Sequence, residues 1–556
     1  MDMSTIGGMH GFLASSVGVT CAAALALPLA LPTPAQAEPL ATMSEPAVPG
    51  STQSLLLAPL GDERALGPDA PEQGLTPRDV RPFSLVGVIW DNPSRELHGR
   101  VQVRTRAVGT GHWSHWQDVE THNREHAADP DTAEGESGRV HGSTAPLWVG
   151  NSDGVEVRVK AEGDARATAP GDSPLPRGLH LELVDPGADS PREGVRMSGV
   201  RGSAPTGSAR AGVPPADPSP VTPVGDLPAV ASMAVSSAVA AAGSLITDVF
   251  AGTSTAGTST AGTPTAGTST AGTPTVETPI AETSVDDPLA NAPRDDRDAP
   301  EDEPHAGALS AEDTAASSAN ADLAPLGARE IPALSQQETE REFVTAHGGD
   351  ERAKPYIGPR PRIITRHGWG ANESLREHGF VYTKKVKAAF VHHTASGNKY
   401  SCSQAPSVIR SIYRYHVVSS GWRDIGYNFL VDKCGNIYEG RAGGVAKPVK
   451  GAHTLGFNSN SMGIAVLGSF GKTKPSGAAL TAIARLTAWK LGLYGANPRG
   501  KTYLKSAGGN LYRKGKNVRL NVISGHRDGY STECPGKRLY GKLGTARREA
   551  ARYQGR

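Results

Sequence analysis

The sequence has few aromatic residues for its length. Aromatic side chains make up 5% of the 556 residues, whereas Gly and Pro number 66 and 43. Aromatic residues supply much of the area that a folded core buries. This composition therefore excludes one continuous core and predicts that much of the chain packs into none.

Acidic residues are scarce in the C-terminal third. Residues 355–556 contain 34 Lys and Arg against 8 Asp and Glu, while the rest of the chain contains 23 and 48. The basic part is expected to attract a polyanion, for which nucleic acid, acidic lipid and anionic wall polymers are candidates. Charge that serves only solubility is the alternative. The scarcity of carboxylates also argues against a glycosidase, which needs two of them across a cleft.

Basic residues are missing at the N-terminus, before an uncharged apolar run over 11–31. The small residues Ala35 and Ala37 nevertheless fit a signal-peptidase site, so we expect residues 1–37 to be an export signal. We expect no later segment to form a stable membrane span. The uncharged stretch 229–245 is short and interrupted by Gly243.

Cysteine is rare too, with four in the whole chain. Cys21 falls in the expected signal, which leaves Cys402, Cys434 and Cys534. An odd number of thiols in an oxidising compartment calls for a special role. One disulfide and one metal ligand would account for all three.

The rest of the chain divides by composition. We expect disorder over 38–80 and an all-β, sandwich-like module over 81–186, because short segments there alternate polar and apolar residues. Residues 187–354 are rich in Pro, Ala, Thr and Ser, with a repeated pentapeptide over 251–275, and are predicted to be a disordered linker. Strands interleaved with helices predict a mixed α/β domain over 355–556.

Four tryptophans of the all-β module could stack on sugar rings. Packing into the core is the commoner fate of tryptophan in such a module. They are Trp90, Trp113, Trp116 and Trp148.

Candidate metal ligands occur in two places in the α/β domain. His526 and Cys534 are seven residues apart, a spacing that can close a loop around one ion, and His392 and His393 stand where an apolar strand ends. Zinc prefers nitrogen and sulfur ligands of this kind and keeps one open position at catalytic sites. By spacing alone, structural histidines and a buried thiol remain the simpler interpretation.

Six motifs and an entry segment, in one order across residues 360–545, raise the metal hypothesis. The sequence resembles the peptidoglycan recognition protein and type 2 amidase family over this region. The segments are 364–371, 390–395, 424–429, 437–441, 451–454, 458–464 and 525–535.

The resemblance implies a role for particular side chains. It makes His392, His526 and Cys534 the zinc ligands and His393 a structural neighbour. Tyr427 matches the catalytic tyrosine of the family, and Thr532 stands where other members have Lys or Thr. No carboxylate is marked as the general base, although Glu439 and Asp528 are candidates.

His453 and Arg441 are the candidates for substrate contact. The resemblance implies that His453 lines the muropeptide groove, and Arg441 could meet a carboxylate of the stem peptide. A core position for His453 and a structural ion pair for Arg441 are the alternatives. His416 is expected to be packed, and secretion together with the cysteine count favours a Cys402–Cys434 disulfide.

The implied function is that of a secreted, zinc-dependent N-acetylmuramoyl-L-alanine amidase with a PGRP-like zinc amidase domain. Non-hydrolytic receptors of the family typically lack the cysteine ligand, whereas this chain has Cys534 and Tyr427. A muropeptide-binding protein without activity is the alternative. We expect peptidoglycan as substrate, anionic wall polymers as a further partner, an extracellular or cell-wall location, a monomer and no nucleic-acid partner.

Overall fold

The structure is a computed structural model and describes residues 50–60, 72–162, 175–187, 309–348 and 355–556. The expected signal peptide and the pentapeptide repeats lie outside these residues. Within the described ranges, we find no helix with the length and apolar character that a membrane crossing requires.

The N-terminal module consists of antiparallel strands, as expected. The sheet has the order β1-β8-β3-β7-β4-β5, with β2 and β6 paired to β3. Alternate residues of β7, Val155, Val157 and Val159, are buried in its core. The strands are β1 Ser51–Leu56, β2 Ala58–Pro59, β3 Glu72–Trp90, β4 Gly99–Ala107, β5 Gln117–Val119, β6 Gly142–Ser143, β7 Leu147–Ala161 and β8 His180–Asp185.

The module differs from the expectation in two respects. Its strands are hydrogen-bonded into one sheet rather than two, because β3 and β7 are long and their register shifts at irregular points where strands can bend. Disorder over 38–80 does not hold for residues 50–60 and 72–80. These residues form β1, β2 and the start of β3, and Leu57 and Leu75 are buried in the core.

The C-terminal domain is built on a mixed sheet with the order β17-β11-β14-β12-β13-β10-β9. Four adjacent strands of this sheet, β17, β11, β14 and β12, are parallel to one another. The strands are β9 Glu330–Ile331, β10 Ile363–Ile364, β11 Ala388–His393, β12 Phe429–Val431, β13 Ile437–Glu439, β14 Ser461–Val466 and β17 Ile523–Gly525. A separate hairpin contains β15 Lys501–Lys505 and β16 Asn517–Asn521.

Seven helices surround this sheet within the described residues. They are α1 Ala311–Ser318, α2 Gln336–His347, α3 Arg366–Trp369, α4 Ala405–Arg414, α5 Gly477–Gly492, α6 Lys537–Tyr540 and α7 Leu543–Tyr553. α4 is followed by a π-helical turn, Tyr415–Ser419, and the helical segment at the end of the chain is divided into α6 and α7.

The folded C-terminal part begins earlier than residue 355. Residues 309–348, which were expected to belong to the linker, contain α1, β9 and α2. Ile331 is fully buried in the main core, and Asn320 donates a hydrogen bond to buried Glu439. The segment packs because both helices are capped and carry apolar residues among the polar ones.

Cys402 and Cys434 form a disulfide, as the sequence predicted. The bond joins the turn before α4 to the turn between β12 and β13.

The N-terminal module packs on α4 and its π-helical turn. Leu85, Trp148 and Val184 share a buried cluster with apolar residues of α4. The Tyr415 hydroxyl donates a hydrogen bond to the carbonyl of Thr144 at 3.1 Å. We call this contact the apolar anchor. Trp148 therefore packs between two folded parts.

Candidate metal centre

The parallel strands bring two of the predicted ligands together. His392 is near the end of β11, and Val391 pairs with Gly525, the last residue of β17. His526 follows directly, so both histidines lie at the same edge of the sheet, as expected where parallel strands end. Their ring centroids are 4.5 Å apart.

Cys534 reaches the same point through the loop that follows His526. The Arg527 amide donates a hydrogen bond to the Cys534 carbonyl at 3.1 Å, which closes the loop. The Cys534 sulfur accepts from the His393 amide at 3.5 Å and lies 3.8 Å from His392 Nδ1. The three side chains, which were predicted from two separate motifs, thus meet.

A fourth candidate ligand comes from the N-terminal module and was missed by the sequence analysis. His126 ends a single 3-10 turn, Arg124–His126, in the loop between β5 and β6. Its ring centroid is 4.5 Å from that of His526 and 5.3 Å from that of His392. Ligand atoms of His126, His392, His526 and Cys534 all lie within 4.8 Å of one another.

These four residues fit a zinc ion. Bonds of about 2.0–2.3 Å to nitrogen and sulfur place the ligands of a tetrahedral zinc within about 4 Å of one another. Among the described residues, neither ring nitrogen of His126 or of His526 has a hydrogen-bond partner, although both side chains are buried. A buried nitrogen without a partner costs free energy, and a cation would remove that cost.

Burial favours the uncharged form of each candidate ligand. It lowers the pKa of His392 and His526 well below the ordinary value, and neighbouring imidazoles lower it further. Burial also raises the pKa of the Cys534 thiol. Neutral imidazoles offer lone pairs to a metal, and a bound cation favours the thiolate.

His453 and Thr454 lie behind His392. His392 Nε2 is 3.3 Å from His453 Nδ1 and 3.4 Å from Thr454 Oγ1, whereas its Nδ1 faces Cys534. Partners on the second ring nitrogen fix the orientation of a ligating histidine. His453 is fully buried, so in this form it supports His392 rather than lining an open groove.

Tyr427 and Thr532 flank the metal centre. The Tyr427 ring centroid is 5.5 Å from that of His392, and burial raises its pKa. Thr532 Oγ1 accepts from the Cys534 amide at 3.1 Å and donates to Glu125 Oε1 at 2.7 Å.

Arg441 binds a carboxylate from the N-terminal module. Its two terminal nitrogens each lie 2.8 Å from an oxygen of Glu134. Burial opposes ionisation of Glu134, but the attraction of Arg441 outweighs it and lowers the pKa of this carboxyl.

The two candidate bases are engaged elsewhere. Glu439 accepts hydrogen bonds from Asn320 and from the Arg366 amide, and burial raises its pKa to about 7. Asp528 accepts from the Gly525 amide and from the Tyr540 hydroxyl. Neither is among the groups that surround the cluster.

His393 and His416 have the structural positions that were expected. His393 Nδ1 accepts from the Phe470 amide at 3.3 Å. His416 packs on Trp422 with ring centroids 4.3 Å apart and accepts from the Gly426 amide.

Two family models match the chain. Residues 382–537 match the family described as N-acetylmuramoyl-L-alanine amidase. Residues 33–176 match the family described as Rv3811 N-terminal galactose-binding domain-like.

Individual relatives match the C-terminal part. Peptidoglycan-recognition protein SC2 of Drosophila simulans is 32% identical over 185 residues, which is 33% of this chain and 85% of the relative. Peptidoglycan-recognition protein 1 of Holotrichia diomphalia is 33% identical over 187 residues, or 32% and 90% of the two chains.

Among solved structures, peptidoglycan recognition protein-LE in complex with tracheal cytotoxin is 34% identical, with a TM-score of 0.26. The match covers 33% of this chain and 92% of that one. Drosophila PGRP-LB is 26% identical, also with a TM-score of 0.26, over 33% and 93% of the two chains. The identity to the relatives over most of their length places this chain in the family of peptidoglycan recognition proteins and N-acetylmuramoyl-L-alanine amidases.

Proposed function

We propose that this chain is a secreted, zinc-dependent N-acetylmuramoyl-L-alanine amidase. The observation that carries the proposal is the convergence of His392, His526 and Cys534 beside the Tyr427 ring. The substrate is the amide that joins N-acetylmuramic acid to L-alanine in peptidoglycan. The residues retained at the site favour hydrolysis over binding alone.

The three ligands would hold the metal, and the other side chains would orient the reacting groups. A zinc ion at this point would polarise the scissile carbonyl and lower the pKa of a nearby water. The Tyr427 hydroxyl would donate a hydrogen bond to the oxyanion that develops on the carbonyl oxygen. One such donor contributes about 3–4 kcal/mol to the transition state.

Thr532 and Arg441 have supporting parts in this proposal. The Thr532 hydroxyl accepts from the Cys534 amide and so holds the ligand loop in place. The Arg441 guanidinium can bind a carboxylate through two parallel hydrogen bonds, as it does with Glu134. A carboxylate of the stem peptide has the same chemistry.

Product analysis tests the proposal. Purified peptidoglycan is digested with the full chain, and mass spectrometry identifies the muropeptides. A free lactyl carboxylate on muramic acid reports amide cleavage, so even slow turnover is informative. We expect zinc and this product with the parent and with His115→Ala, an exposed histidine, and neither with His392→Ala or Cys534→Ser.

A muropeptide-binding protein without activity is the second candidate, because the relatives are named recognition proteins. It predicts sedimentation with peptidoglycan but no new carboxylate. Stoichiometric zinc without any cleaved product would favour this second candidate, and the absence of zinc would contradict the first outright.

A further inference from the structure

The loop between β5 and β6 extends over the metal centre. It comprises residues 120–141 and includes His126. Connections of more than about 15 residues are uncommon in compact domains and often serve as lids or binding loops. We call it the β5–β6 loop. Its contacts with the C-terminal domain are unlike those of the apolar anchor.

Glu125 fixes the loop beside the ligand Cys534. Its carbonyl accepts from the Leu455 amide at 2.9 Å, and its carboxylate accepts from Thr532 at 2.7 Å. Thr532 belongs to the motif 525–535, and Leu455 directly follows the motif 451–454. Glu125, which directly precedes His126, is therefore hydrogen-bonded to the C-terminal domain through both its backbone and its side chain.

Asp129 is the second polar contact of the loop. Its Oδ1 accepts from the Gly456 amide at 2.9 Å and from Asn458 Nδ2 at 3.0 Å, and its Oδ2 lies 3.6 Å from Lys450 Nζ. Asn458 also donates to the Ala127 carbonyl at 2.9 Å. Asn458 accepts in turn from the His453 amide, so these contacts reach the residue behind His392.

Glu134 is the third contact, through its paired hydrogen bonds with Arg441. Both side chains are less than a tenth exposed, so water screens the pair little. Arg441 is the side chain proposed above to bind a substrate carboxylate. Glu134 thus occupies the Arg441 guanidinium to which a substrate carboxylate would bind.

The space left at the centre is too small for a muropeptide. A cavity of about 20 Å³ lies between the loop and the residues Tyr427, Thr532 and Cys534. That volume holds about one water molecule, whereas pockets for small ligands measure about 300–1,000 Å³. The substrate cannot reach the centre while the loop is in place.

His126 also changes the kind of metal site. Catalytic zinc sites have three protein ligands and an open position, whereas sites with four protein ligands are closed and structural. His392, His526 and Cys534 form the first kind of set, and His126 converts it to the second. The unpartnered nitrogens of the buried His126 ring lie within reach of that fourth position.

We propose that the described form is latent: the β5–β6 loop occupies the muropeptide groove, and His126 fills the fourth coordination position. This inference depends on the proposed function. Activity requires the loop to withdraw while the apolar anchor keeps the module attached. The loop can withdraw because water can replace its polar hydrogen bonds. The apolar anchor can keep the module attached because water cannot replace its apolar contacts.

Cobalt spectroscopy of the full chain tests the coordination. Co²⁺ replaces zinc in the parent, in His126→Ala and in the control His115→Ala. We expect azide to leave the absorption spectra of the parent and the control unchanged and to shift that of His126→Ala. Added imidazole should return the His126→Ala spectrum to that of the parent, because it restores the missing nitrogen.

A second variant tests whether the groove is occupied, without touching the ligands. Glu134→Gln leaves Arg441 intact but breaks a buried ion pair, which raises the ratio of open to closed form by roughly a hundredfold. The apparent Kd for a soluble muropeptide should fall by up to that factor. Asp153→Asn is the control, since its partner Arg106 belongs to the N-terminal module itself.

The outcomes separate this inference from the proposed function. A parent that binds one cobalt and responds to azide overturns the inference and leaves the amidase proposal intact, as does an unchanged Kd in Glu134→Gln. Failure of every variant to bind cobalt overturns both. The expected pair of results, an azide-insensitive parent and tighter binding in Glu134→Gln, supports the latent form.

Discussion

The orientation of His392 depends on side chains that are not candidate metal ligands. Its Nδ1 faces Cys534, and its Nε2 faces His453 and Thr454. A partner on Nε2 keeps the other nitrogen aimed at the ion, and loss of such a partner typically weakens metal binding by about 10–100-fold. His453 can therefore affect metal binding without being a ligand.

His453→Ala should lower the zinc affinity of the full chain by roughly 10–100-fold. Competition with a chromophoric chelator measures the change. His115→Ala is the matched control, because that histidine is exposed on the N-terminal module. If His453 instead acts only on substrate, zinc affinity will be unchanged and the KM for muropeptide will rise.

Tyr427→Phe should retain zinc but lose roughly 10²–10³-fold in kcat, because it removes only the proposed donor to the oxyanion. Muropeptide turnover and metal analysis on the same preparation check both parts. A loss of zinc in this variant would mean that the tyrosine supports the fold of the centre. An unchanged kcat would exclude it from catalysis.

The residues that could be predicted are those with a local signal. His392 stands at the end of an apolar strand, and His526 and Cys534 share one loop, so short segments were enough to suggest three ligands. Arg124 and Glu125, which directly precede His126, provide no such signal. His126 reaches the centre only by tertiary packing, since the neighbouring Glu125–Thr532 bond spans 407 residues.

At the scale of elements, the parallel strands determine where the site forms. β11 lies between β14 and β17, so the residues that follow these strands meet at one edge of the sheet. The Cys402–Cys434 disulfide constrains a different region, between α4 and the β12–β13 turn. It should contribute to stability without altering the metal centre.

Replacing both Cys402 and Cys434 by Ala should lower the free energy of unfolding by about 3–4 kcal/mol, as loop entropy predicts for the 32-residue separation. Urea unfolding checks the value, and the reduced parent should behave in the same way. Zinc content should remain stoichiometric. A variant that loses its zinc would show that the bond also supports the centre.

Elements that were missed lack the apolar periodicity on which the predictions depended. α1 and α2 are short and polar, and their composition resembles a linker. A local signal was nevertheless present, because Ser335 and Glu338 form a capping box at the start of α2. The strands of the N-terminal module and β11 were expected, because alternating or continuous apolar residues mark them.

Over the whole molecule, charge is divided between two parts of opposite sign. Residues 355–556 carry an excess of 26 positive charges, and the rest of the chain carries an excess of 25 negative charges. Some of these opposite charges form ion pairs between the β5–β6 loop and the C-terminal domain. The pairs are Asp129–Lys450, Asp131–Lys514 and Glu134–Arg441. The remaining basic residues are expected to attract an anionic polymer.

Salt should weaken binding to bacterial walls that retain their anionic polymers. The screening length falls from about 10 Å at 0.1 M to about 3 Å at 1 M ionic strength. Sedimentation with native walls should decrease over that range. Walls stripped of these polymers should bind less from the outset, and equal binding to both would exclude them as partners.

The β5–β6 loop belongs to the same polypeptide as the groove that it fills, so a substrate must compete with a tethered segment for that groove. A tethered segment acts at an effective concentration of about millimolar, whatever the dilution of the protein. Soluble fragments at micromolar levels would displace it poorly. An intact wall presents many stem peptides side by side, and such a dense array can compete where a free fragment cannot.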